Sequence, residues 1–107
     1  MTTFDNREKA EEARFAAQES SDFEIRARRD RFVGHWAAGL LGLEADDAKA
    51  YAKRLVATDL ENHGEADVVA RLQKDFAAKN VDVSIETIHK VMAEKMADAR
   101  NQLEAGR

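Results

Sequence analysis

The side chains in this sequence that could do chemistry are few and scattered. Its histidines are His35, His63 and His89. None stands four residues from another, the spacing that sets two imidazoles on one helix face for a metal. Cysteine is absent, so neither a disulfide nor a thiolate zinc site can form. "GHWAAG" (Gly34 to Gly39) has the glycine spacing of a phosphate loop, but Leu40 and Leu41 stand where a lysine and a hydroxyl residue belong. No serine lies in a Gly-x-Ser-x-Gly elbow. The sequence is therefore read as a non-enzyme, with no catalytic residues, no metal and no cofactor.

One charged run asks for more. "RARRDR" places Arg26, Arg28, Arg29 and Arg31 close enough together to touch phosphates. Asp22, Glu24 and Asp30 interleave with them, and Asp22–Arg26 has the spacing of a favourable helix pair. The leading expectation is a solvated, ion-paired face; a protein-docking face comes second. Third comes a site for ADP or ATP around Arg28, Arg31 and His35. A net charge of −4 with 36% charged residues argues against nucleic acid, which calls for a clustered basic excess.

Helices must position these groups. The chain has 107 residues and no proline, enough for one domain with one modest core. A first helix is expected over Ser21 to Leu41, with Phe32, Trp36 and Leu40 in steps of four beside Val33, Ala37 and Leu41. The small residues Gly34, Ala37, Ala38 and Gly39 would let a neighbouring helix come close. Gly42 suits a left-handed stop, with Leu43 folding back. A second helix runs from Asp46 to Glu61 on a stripe of Ala48, Tyr51, Ala52, Leu55, Val56 and Leu60. A third runs from Glu65 to Lys79 through Val68, Val69, Leu72 and Phe76, with Asn80 as its stop. Ser84 caps a fourth, stapled by Val83 and Ile88 and carried by Ile85, Met92, Met96, Ala99 and Leu103. "VDV" (Val81 to Val83) is too short to act as a strand. Short links between amphipathic helices favour antiparallel neighbours. The expected fold is all-α, a four-helix bundle over residues 20–107.

Residues 1–19 are a different kind of segment. They are rich in helix formers, yet between Asp5 and Glu19 the only large apolar residue is Phe15. A helix with no face to bury is marginal in water. Its expected free state is a fraying helix or disorder, ordered when a partner supplies apolar surface. Phe4 and Phe15 lie eleven residues apart. They return to nearly the same helix face about 16 Å apart, which suits a helix laid in a groove. A plain charged tail is the alternative.

Four stretches carry a resemblance: "TTFDNREKAEEARFA", "RARRDRFVGHWAAGLLGL", "AYAKRLVATDLENHGEADV" and "DVSIETI". Together they resemble the zeta subunit family of the alphaproteobacterial F-type ATP synthase, formerly a domain of unknown function. The resemblance implies a four-helix bundle with a mobile inhibitory arm. That arm enters a catalytic interface between the alpha and beta subunits, beside the central gamma stalk, and blocks rotation in the hydrolysis direction. It is similar in function to the mitochondrial ATPase inhibitor, whose body differs. On the matching stretch, Phe4, Arg7, Glu8, Arg14 and Phe15 are the implied partner-binding residues. Glu11 stands where relatives often place a bulkier residue, and the "QESSD" junction is more polar than the family pattern. A nucleotide-binding or stress-related helical interaction module is the alternative function.

No apolar run follows the initial Met, so no secretory signal is expected. The longest apolar stretch, Phe32 to Leu43, is short of the ~20 residues that span a bilayer. The expected protein is a cytoplasmic monomer when free, held at the inner membrane only through the ATP synthase.

Overall fold

The computed structural model describes residues 22–62 and 64–106. Among the described residues there are four helices: α1, described over 22–40, α2 over Ala45–Asn62, α3 over Glu65–Ala78 and α4 over Ile85–Ala105. Among the described residues there is no strand, and Val81 to Val83 form part of the α3–α4 link. The protein is all-α, a four-helix bundle as its periodicity predicts.

Helix ends follow from local chemistry. Gly42 adopts φ +76°, and the chain closes on α1 with Leu43 N–H to the Ala38 carbonyl at 2.9 Å and Gly42 N–H to the Gly39 carbonyl at 3.3 Å. This paired closure satisfies carbonyls that a helix end leaves free, and Leu43 packs back on the core. Asn80, at φ +57°, does the same for α3: Val81 N–H reaches the Phe76 carbonyl at 2.8 Å. Ser84 caps α4, its hydroxyl accepting from Thr87 N–H at 3.1 Å. Val83 packs against the core of which buried Ile88 is a member, as a staple at this cap requires.

The core is drawn from all four helices. Val33 and Ala37 of α1, with Leu41 just past its end, meet Tyr51 and Leu55 of α2, Val68, Leu72 and Phe76 of α3, and Ile88, Val91 and Met92 of α4. Trp36 sets its ring edge-on to Phe76 at 5.7 Å, a favoured aromatic geometry. Gly34 lets α1 and α2 cross closely: a Cβ there would stand 2.5 Å from the Ala52 Cα.

Several stripe positions fall elsewhere. Leu40, Leu60 and Ile85 are exposed, and Phe32, Val56, Met96 and Leu103 are only half-buried. On α1 the buried line is Val33–Ala37–Leu41, one residue on from Phe32–Trp36–Leu40. One residue is a turn of about 100° around the axis, enough to move Leu40 outward. Gly39 faces open space, with nothing within 4 Å of a Cβ placed there, so it makes no close approach.

Candidate functional site

The charged run on α1 folds into a buried ion cluster where α1 meets the end of α2. Arg29, Asp30 and Asp59 are all buried. Arg29 Nε donates to Asp30 Oδ1 at 3.1 Å, and its Nη2 lies 3.0 Å from the same oxygen. That Nη2 is also 3.5 Å from Asp59 Oδ2. The other guanidinium nitrogen, Nη1, faces Glu65 of α3 at 3.7 Å. Arg26 Nη2 donates to Asp59 Oδ1 at 2.8 Å. Two arginines of α1 thus fasten residues 26–30 to the last turns of α2, and one of them reaches the start of α3.

The cluster's electrostatics are uneven. Burial raises the Asp30 carboxyl, a hydrogen bond with Asp59 raises it further, and Arg29 offsets this only in part; its pKa is pushed up to about 8. Asp59 is pushed up by burial too. Its hydrogen bonds with Asp30 and Arg26, with the Arg26 and Arg29 charges, outweigh that and hold it below the usual carboxylate range. The Arg26 guanidinium is raised, chiefly by its hydrogen bond to Asp59. Phe23 and Leu60 stay exposed on either side, lining a small cavity with Arg26, Asp30 and Asp59.

The expectation of a solvated, ion-paired face is thus corrected in part: the ion pairs form, but Arg29, Asp30 and Asp59 hold them out of solvent. Arg29 and Asp30 point inward, and Arg26 reaches across to Asp59 as its hydrogen-bond partner. Sequence reasoning missed Asp59 and Glu65 as members of the cluster. The available signal was the spacing: Arg26, Arg29 and Asp30 fall on the side of α1 that continues into Val33, Ala37 and Leu41.

A second polar junction ties α2 to α3. Tyr51 Oη donates to Asp75 Oδ2 at 2.7 Å, and Arg71 Nε donates to the same oxygen at 3.0 Å. Burial raises the Tyr51 hydroxyl pKa, and the Asp75 hydrogen bond adds to this.

Arg28, Arg31 and His35 share one side of α1. Arg28 Nη1 donates to Gln102 of α4 at 2.8 Å. His35 is exposed and lines an open groove between α1 and α4 with Phe32, Trp36, Lys95, Asp98 and Gln102. Arg31 is exposed beside them. No hydrogen bond or ion pair joins the three to one another among the described residues. Phe4, Arg7, Glu8, Arg14 and Phe15 lie outside the described residues.

Among the described residues no group of three or more His, Cys, Asp or Glu side chains is placed to hold a metal ion. No helix there is long and apolar enough to cross a membrane. Comparison with curated proteins finds no match. A family model does match: that of the ATPase inhibitor subunit zeta, over residues 1–102. Covering the helical bundle and the segment before it alike, that match shows that the chain belongs to the ATPase inhibitor subunit zeta family.

Proposed function

We propose that this chain is a non-enzymatic inhibitor of ATP hydrolysis by an F-type ATP synthase. Residues 1–19 are the inhibitory arm and residues 20–107 the body. The arm folds into an alpha/beta catalytic interface beside the gamma stalk. Phe4 and Phe15 anchor it there, and Arg7, Glu8 and Arg14 make its polar contacts. The body stays outside the interface, in the cytoplasm, and reaches the membrane only through the ATP synthase.

The observation that carries this reading is the span of the family match, which begins at residue 1 and takes in the whole arm. The composition of that segment agrees with it. Phe15 is its only large apolar residue between Asp5 and Glu19, too little to hold a helix by packing on its own body. Among the described residues, the buried hydrophobic side chains run from Val33 to Ala99.

Deleting residues 1–19 tests the assignment. The truncated chain should unfold at nearly the same temperature as the full chain, and should no longer inhibit ATP hydrolysis by the ATP synthase of its own cell. Full inhibition by the truncated chain would place the activity in the bundle instead.

A further inference from the structure

Asp30 poses a problem that its neighbours do not solve. The residue is 0% exposed. Its Oδ1 accepts from Arg29, but its Oδ2 is buried without a hydrogen-bond partner. A buried carboxylate oxygen left unpaired costs free energy. The nearby cavity, of about 10 Å³, sits at the lower limit for a single water. The remaining candidate is the buried carboxyl group of Asp59, which lines the same cavity and sits on the same Arg29 Nη2, 3.5 Å from Asp59 Oδ2 and 3.0 Å from Asp30 Oδ1, placed to share a hydrogen bond with Asp30. Two carboxylates can share such a bond only if one of them carries a proton.

We propose that Asp30 and Asp59 bind one proton between them, resident on Asp30 Oδ2 and donated to Asp59, and that its release unlatches residues 26–30 of α1 from α2. The charges around the pair fix which oxygen holds it. Arg26 donates to Asp59 Oδ1 at 2.8 Å, and Arg29 Nη2 lies 3.5 Å from Asp59 Oδ2. Asp59 therefore keeps its negative charge. Arg29 is left to serve Asp30 while it also faces Asp59 and, from α3, Glu65 at 3.7 Å. One guanidinium shared among three acidic groups does not neutralise Asp30 as well. The leading contributions to the Asp30 shift are its burial, Asp59 of α2 and Arg29 of α1.

The linkage has a definite sign. Asp30 in the folded protein has its pKa raised to about 8, against about 3.9 in an unfolded chain. Between those values the folded state binds more protons than the open one. Opening therefore becomes easier as pH rises through this window, and the effect levels off above the folded value. The proton acts as a latch that is closed in acid and released in alkali. The change falls at residues 26–30, close in the chain to residues 1–21. The proton site itself does not depend on the function proposed for that segment.

The test is carboxyl carbon NMR on the full-length chain, titrated from pH 5 to 9 with amide hydrogen exchange followed alongside. Asp30 Cγ should titrate with an apparent midpoint near 8, and Asp59→Asn should move that midpoint down. Exchange catalysed by hydroxide rises about tenfold per pH unit. An opening that also frees Asp30 to ionise adds a further factor of about ten below the midpoint. Amides of residues 26–30 should thus show a logarithmic slope of about two below the midpoint. In Asp30→Asn, whose amide mimics the protonated acid, the slope should be about one throughout. An Asp30 Cγ ionised across the whole range overturns the proposal. So does a slope of one in the unaltered protein, which would leave a proton with no latch.

Discussion

Gly34 of α1 and Ala52 of α2 cross so closely that a Cβ on Gly34 would stand 2.5 Å from the Ala52 Cα and 2.9 Å from its Cβ. The nearest obstacle is backbone, which cannot swing aside as a long side chain can. The two helices must therefore separate to admit a methyl group.

This contact makes a paired prediction. Gly34→Ala should destabilise the bundle by ~1–3 kcal/mol, the usual cost of overpacking. Gly39→Ala should be neutral, or stabilise by up to ~1 kcal/mol through better helix propensity, since nothing lies within 4 Å of a Cβ at that site. Thermal unfolding of the two variants checks the contrast. Equal effects would mean that the α1–α2 crossing is looser than described.

Arg29 is the other joint between these helices. Its side chain is 4% exposed and faces the buried carboxyl groups of Asp30 and Asp59. Arg29→Met keeps much of the volume and removes the charge. Its loss leaves the buried Asp59 carboxylate with Arg26 in place of two guanidinium groups, at up to the ~3–5 kcal/mol that breaking a buried pair from one side costs. For a domain of this size that full cost is a fall of more than about 10 °C in melting temperature. Arg26→Met should cost much less. Its side chain is 41% exposed, so solvent screens the lost charge. Calorimetric scans of both variants decide the matter.

The sequence made the local features legible and hid the distant ones. Gly42, Asn80 and Ser84 could be read as helix ends because each acts within a few residues of its own position. The α3 stripe of Val68, Val69, Leu72 and Phe76 could be read because both of its flanks are polar. Leu40, Leu60 and Ile85 were misplaced for a different reason. A wide apolar face shows that a helix is amphipathic, not which part of the face a neighbour will cover. The ion cluster was harder still. Arg26 and Arg29 find Asp59 about thirty residues away, and a run of mixed charges reads as solvated until the second helix is in place. Arg28 likewise meets Gln102 only because α1 lies along α4.

The central claim is that residues 1–19 inhibit and the bundle carries them. Phe15→Ala tests it most directly, by paired measurement of thermal unfolding and of inhibition of ATP hydrolysis. Truncating a buried core phenylalanine costs ~3–5 kcal/mol of stability. Truncating an interface anchor costs ~2 kcal/mol or more of binding, roughly 30-fold in affinity. The two roles therefore separate in one variant. Trp36→Ala is the control, since Trp36 packs on Phe76 inside the bundle and should lose stability first. Phe15→Ala should melt at nearly the same temperature as the unaltered protein and inhibit at least about tenfold less well. A melting temperature lowered by many degrees, or inhibition left intact, would contradict it.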